Sequence, residues 1–197
     1  MTVQPMFPLG SVLFPYTPSL LRVFEPRYLT LIGRLLDDED PQFGIVLIER
    51  GHEVGGGDRR SRIGTMARLL SVSTDAEVLH TVAVGTTRFV VEQWMDDSPY
   101  PRADVAPLPD LTWNDSLAPL RTEAEAIVRR ALARSESGWD PDTELSEDPV
   151  AAAWQLAAIA PLGEYDRYSL LQSATTGALL GQIIDLTLGA EQLWSDG

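Results

Sequence analysis

The sequence changes character between Ala106 and Trp113, and that change bounds what the chain can fold into. Before it, short apolar runs are separated by Gly, Pro, Asp and Ser, the punctuation of strands and hairpins. After it, apolar residues recur at helical spacing. The join holds Pro107 and Pro109 and follows neither period. The expectation is an α+β chain in two parts, 1–107 and 115–195. With 197 residues, 44% of them hydrophobic, both parts can be packed without disulfides or a structural metal.

In the first part, Met6–Leu9 and Val12–Pro15 are short apolar pieces cut by prolines, and Leu20–Phe24 reads as a strand. Pro26 suits the first position of a helix, where its missing N–H would have no partner. Tyr28, Leu29, Ile32, Leu35 and Leu36 then keep helical spacing up to the acidic run Asp37–Asp40. Strands are predicted over Phe43–Glu49, Ile63–Val72, Glu77–Val84, Arg88–Trp94 and Arg102–Val105, with a tight turn at Gly85-Thr86. About six strands and one helix, joined by close hairpins, predict a curled sheet or small barrel.

In the second part, Leu117, Leu120, Ala124, Ile127, Val128, Ala131 and Leu132 share one helix face. Glu125 and Arg129 form an i,i+4 pair in the favourable order on the other face. Asp148-Pro149 predicts a helix start, a capping acid followed by proline at the first position. That helix ends near Pro161, another covers about 164–173, and a last one starts near Thr176 with Leu179, Leu180, Ile183 and Ile184 as its stripe. Between the first two helices, Ser135–Asp148 carries six acids and no basic residue, and reads as a loop.

Composition removes several chemistries. There is no cysteine, so no thiol nucleophile or disulfide framework. All 15 basic residues are arginine, so no Schiff base, Ser–Lys dyad or Walker-type lysine can form. The two histidines, His52 and His80, are too few for a three-histidine metal site and lie in no nucleophile-elbow context. Net charge is −14, divided as −4 over 1–107 and −10 over 108–197, which repels a phosphate backbone. Neither a leader pattern nor an apolar run of membrane-spanning length is visible, so a soluble, cytoplasmic protein is expected.

The remaining clusters each have a plain structural reading. Gly55-Gly56-Gly57 with Arg59, Arg60 and Arg62 could cradle an anion, but strands are predicted on both sides, so a hairpin loop is preferred. Asp37–Asp40 lacks the Gly and distal Glu of a calcium loop and reads as a solvated turn. Glu25-Pro26-Arg27-Tyr28 is the most specific local cluster: an acid at a helix start, then a guanidinium fork and an aromatic ring. It reads as a braced helix start or as a ligand site. Trp139, alone in the acidic loop, needs a groove or a partner.

Taken together in order, these strings resemble the N-terminal, substrate-binding domain of Lon proteases. The resemblance runs through Phe7-Pro8-Leu9, Leu13-Phe14-Pro15 and Leu21-Arg22-Val23-Phe24-Glu25-Pro26-Arg27-Tyr28. It continues in Phe43–Val46, Ile63-Gly64-Thr65-Met66-Ala67, Val84-Gly85-Thr86-Thr87-Arg88-Phe89 and Tyr100–Val105, then Asp148-Pro149-Val150, Pro161-Leu162 and Leu170-Leu171. The family's Asp-Gly hairpin turn is replaced by Thr74-Asp75-Ala76, and its Lys-Gln pair by Arg167-Tyr168.

The resemblance implies a PUA-like β-barrel of about six strands with one helix, followed by a C-terminal helical bundle. It implies a free-standing, non-catalytic module that binds unfolded or exposed apolar polypeptide, as adaptor or holdase, with no cofactor or metal. A separate protease or chaperone, and a homodimer, are the further partners it suggests. Binding is expected at Glu25, Arg27, Tyr28, Arg88 and Phe89, at the loop of Gly55, Gly56 and Gly57, and at Trp139. Two other readings stay open: RNA binding by analogy to PUA-like folds, which the charge opposes, and a carboxylate hydrolase using acids such as Glu25 or Asp104.

Overall fold

The computed structural model describes residues 2–50, 59–76, 78–135 and 138–195. The chain divides into two compact units, Met1–Asp110 and Leu111–Gly197. It is an α+β protein with one six-stranded sheet and five α-helices among the described residues.

The first unit contains β1 (Thr2–Leu9), β2 (Pro18–Val23), α1 (Pro26–Leu35), β3 (Gln42–Arg50), β4 (Arg59–Asp75), β5 (Val78–Trp94) and β6 (Arg102–Pro107). The strand order is β2-β5-β4-β3-β1-β6, and β5 also pairs with β6, so the pairings close into a ring. Closure depends on β5. Its residues 79–84 pair with β2 and its residues 89–94 with β6, while β4 pairs with it between Val78 and Val90.

The N-terminal segment is one strand, not the proline-cut pieces its sequence suggests. Thr2–Pro5 pair antiparallel with β6 and Met6–Leu9 pair parallel with β3. Each half has a strand partner along one edge, which is how β1 accommodates Pro5 and Pro8 without losing a ladder bond.

The expected turn at Gly85-Thr86 is also absent: β5 passes straight through it. The glycine instead marks a slip in register with β4, between the pairs Thr65↔Arg88 and Ala67↔Gly85. It also admits a close approach. Tyr16 N donates to Gly85 O at 2.8 Å, and Gly85 N donates to Thr17 O at 2.9 Å. A Cβ at position 85 would run into the Phe14 carbonyl. Thr65 Oγ1 donates to Leu13 O at 2.6 Å and Thr17 Oγ1 to Phe14 O at 2.7 Å, fixing the same segment.

Two apolar clusters result, because successive strand residues face opposite ways. Phe7, Phe43, Ile45 and Ala67 pack with Tyr28, Leu31, Ile32 and Leu35 of α1. Their neighbours Met6, Val46 and Met66 pack with Phe89, Val91 and Val105. Gly44 and Gly64 leave room for the Phe89 ring. A Cβ on Gly64 would lie 2.6 Å from Phe89 Cζ and would collide with the Ile45 carbonyl.

The second unit opens with a single 3₁₀ turn, Asp115–Leu117, capped by Asn114 Oδ1, which accepts from Ser116 N at 2.9 Å. Then come α2 (Ala118–Leu132), α3 (Pro149–Ile159), α4 (Glu164–Leu171) and α5 (Thr176–Ser195). The start of α3 follows the sequence expectation: Asp148 Oδ1 accepts from Ala151 N at 2.7 Å, with Pro149 in the first turn. Leu179, Leu180 and Ile183 of α5 are fully buried, as are Ala124, Val128 and Ala131 of α2.

Two arginines of α2 act beyond their own helix. Arg129 pairs with Glu125 at 2.8 Å, as spacing suggested, and also donates to the carbonyls of Pro141 and Thr143. The acidic connection is thus tied to the helix. Arg130 grips Glu191 of α5 through Nε and Nη2, and Arg134 lies 3.6 Å from the same carboxylate. No described helix is long and apolar enough to cross a membrane.

Gly64→Ala will destabilise the protein by about 1–3 kcal/mol, the usual range for overpacking, because backbone on one side and a buried ring on the other leave the methyl no exit. Chemical denaturation of variant and parent measures it. Glu191 provides a pH-dependent test. Hydrogen bonding from Arg130 holds its carboxyl below the ordinary range, against the opposing effect of burial. A depressed pKa in the folded state means stability that is present above the unfolded value of about 4.3 and lost as pH falls through the folded one. Glu191→Gln will therefore lower Tm at neutral pH, and the gap to the parent will close in acid.

Candidate functional site

The N-terminus of α1 gathers three of the expected residues. Glu25 is the N-cap, with extended backbone, and Pro26 opens the helix. Arg27 Nε donates to Glu25 Oε2 at 3.1 Å, and its guanidinium lies 4.6 Å from the Tyr28 ring centroid. Tyr28 is buried and stacks on Phe7 of β1 with centroids 3.9 Å apart and planes inclined by 12°. A charge pair, a cation over a ring and a stacked ring pair therefore hold one another in place.

These residues border a groove of about 430 Å³. It is lined by Phe7, Leu9 and Ser11, by the consecutive residues Leu20–Glu25, and by Tyr28. Leu20 is 76% exposed and Phe24 57% exposed, large apolar side chains that the fold leaves in water. Among the described residues the groove contains one carboxylate, that of Glu25, already paired with Arg27; Asp104 does not line it.

Arg88 and Phe89 do not join the groove. Phe89 is 1% exposed and sits against Gly44 and Gly64 in the core. Arg88 is 5% exposed and donates to Pro109 O at 3.0 Å, while its own carbonyl accepts from Leu108 N at 2.9 Å. Burial lowers the pKa of its guanidinium, opposed by the charge of Asp110. Both residues serve the fold: one fills space left by glycines, the other anchors the chain leaving β6. Gly55, Gly56 and Gly57 lie outside the described residues, as does His52.

Trp139 belongs to the helical unit. It is half exposed and lines a cleft of about 350 Å³ with Trp194, Leu162 and Arg167. Arg167 donates to the Ala158 carbonyl and lies 3.8 Å from Glu164. Desolvation lowers its pKa, with Glu164 acting in the opposite sense. Among the described residues, no group of three His, Cys, Asp or Glu side chains is placed to hold a metal ion.

Sequence reasoning passed over Leu20 and Phe24 as site residues. The signal was present: Leu20-Leu21 and Val23-Phe24 are adjacent apolar pairs, and adjacent strand residues cannot both face one core. One of each pair had to face elsewhere.

Comparison with known proteins bears on this architecture. The chain belongs to the family described as the ATP-dependent protease La (LON) substrate-binding domain, whose model matches residues 3–187. A Lon N-terminal domain protein from Xanthomonas campestris is similar in structure, with a TM-score of 0.67 and 28% identity, over 94% of this chain and 98% of that one. The N-terminal domain of Mycobacterium avium complex Lon protease has the same fold, with a TM-score of 0.69 and 18% identity, also over 94% and 98% of the two chains. No match was found among curated proteins. The resemblance expected from the strings around Glu25–Tyr28 is thus borne out, and the chain is a substrate-binding module in that family's sense.

If Arg88 serves the fold alone, Arg88→Met will lower stability by about 1.5–3 kcal/mol, the range for a hydrogen bond made by a charged group. The folded variant will bind a polypeptide client as the parent does. Thermal unfolding and fluorescence anisotropy on one preparation separate the two effects.

Proposed function

We propose that this protein is a non-catalytic polypeptide-binding module that holds exposed apolar segments of client proteins, as adaptor or holdase. The observation that carries this reading is the groove at the start of α1, where a substrate-binding family member exposes Leu20 and Phe24 beside a rigid Glu25–Arg27–Tyr28 cluster. Exposed apolar area of this kind recovers about 25 cal/mol for each Å² that a client covers. We read the ring of strands as a PUA-like barrel and α2–α5 as a helical bundle, with domain limits of 1–107 and 115–195. A cytoplasmic setting, a protease or chaperone as onward partner, and contacts through Trp139 and the Gly55–Gly57 loop belong to the same proposal. Catalysis by paired carboxylates has no support in the groove, where Glu25 is the one carboxylate among the described residues. The net charge of −14 disfavours RNA.

The test is anisotropy of a labelled unfolded polypeptide and, in parallel, a labelled single-stranded RNA, each at two salt concentrations. The expected result is salt-tolerant polypeptide binding without RNA binding. Leu20→Asp with Phe24→Asp will weaken it at least tenfold while leaving Tm close to the parent's, since both side chains are exposed. RNA binding alone, lost with added salt, would overturn the reading.

A further inference from the structure

We propose that the groove takes its client as an added β-strand along the free edge of β2; this deepens, and rests on, the polypeptide-binding reading above. Along Pro18–Val23, β2 pairs with β5, and no other described strand pairs with it. Alternate residues of β2 therefore direct N–H and C=O groups away from the sheet. Such an edge normally carries lysine, an inward charge or a covering element to prevent pairing. Here Pro18 and Arg22 are the strand's own guards, and between them stands Leu20, 76% exposed, an apolar side chain that an edge in water does not need.

The lining of the groove shows that it follows this edge. Successive strand residues point to opposite faces, so a cavity on one face of β2 would touch every second residue. Within β2 this one touches Leu20, Leu21, Arg22 and Val23 in unbroken succession, and it continues past the strand to Phe24 and Glu25. The lining also includes Phe7 and Leu9, from the half of β1 that pairs with β3 alone. Six strand residues span about 20 Å, long enough for a segment of similar length to lie alongside.

The dimensions and the charge select the occupant. A groove of about 430 Å³ bounded by β1 and the start of α1 suits one extended chain. A second copy would bring a folded sheet edge with its neighbouring strand, and two copies at −14 each repel. The client is therefore an unfolded or locally extended segment, neutral or basic, with apolar residues at every second position to cover the exposed apolar side chains of the groove, Leu20 and Phe24. Its other positions donate main-chain hydrogen bonds to β2 and exclude proline. Main-chain pairing supplies affinity that does not depend on sequence, and the alternating pockets supply the preference.

The experiment uses the full chain and a labelled decapeptide of alternating Val and Thr between terminal lysines. Two further versions carry N-methyl groups on every Val or on every Thr. The expected result is that one methylated version loses at least tenfold in affinity and the other binds within a few-fold of the parent peptide. Hydrogen exchange of β2 amides should also slow on binding. Equal binding of all three peptides, still weakened by Leu20→Asp with Phe24→Asp, would overturn strand addition and leave the polypeptide-binding reading standing. Binding of an unfolded protein but of none of the peptides would also overturn strand addition. Failure of every peptide and of the unfolded protein would remove both. A dimer in sedimentation that the peptide dissociates would make a second copy the occupant instead.

Discussion

A sheet that closes on itself must give every strand two neighbours or leave one strand over, and in this protein β2 is left over. The cause is β5. Its 17 residues run past both β2 and β6 on one side, so the ring closes through β6 and β2 hangs beside it. The groove, its exposed leucine and phenylalanine, and the helix start at its end all follow from that sharing of one strand between two partners.

The closed part is held by close approaches that allow little substitution. Gly44 and Gly64 admit the ring of Phe89, and Gly85 admits the backbone of Phe14. Buried hydroxyls complete the arrangement: Thr65 and Thr17 each donate to a carbonyl of the segment leading into β2. The strand that borders the groove is therefore approached through a fixed connection. Arg88 plays the same part at the exit from β6, where its guanidinium satisfies the Pro109 carbonyl. In a low-dielectric interior a guanidinium needs such acceptors, and this one finds its acceptor in the chain's own backbone.

What could be read from the sequence was what lies close along the chain. The Glu25–Tyr28 cluster spans four residues, and its acid, guanidinium and ring meet because a helix start brings them together. The cap at Asp148 and the pair of Glu125 with Arg129 are equally local. The burial of Phe89 was not legible for the opposite reason: its surroundings come from Gly44 and Gly64, some 25 to 45 residues away, whose importance is the absence of a side chain. Gly85 was read as a turn because glycine serves turns and bulges alike, and only the pairing with β4 tells them apart. The groove needs residues of β1 and β2, which do not pair, to line one cavity, and no period within either strand encodes that.

The same open edge has a colloidal consequence. An unpaired strand with an outward leucine is also a template for unwanted growth into aggregates. Pro18 and Arg22 guard that edge locally, and the overall electrostatics add to them: 29 carboxylates against 15 arginines keep molecules apart wherever those acids are ionised. Sociability toward extended clients and reserve toward its own kind are thus assigned to different scales of the molecule. One resides in six residues of backbone, the other in the charge of the whole chain.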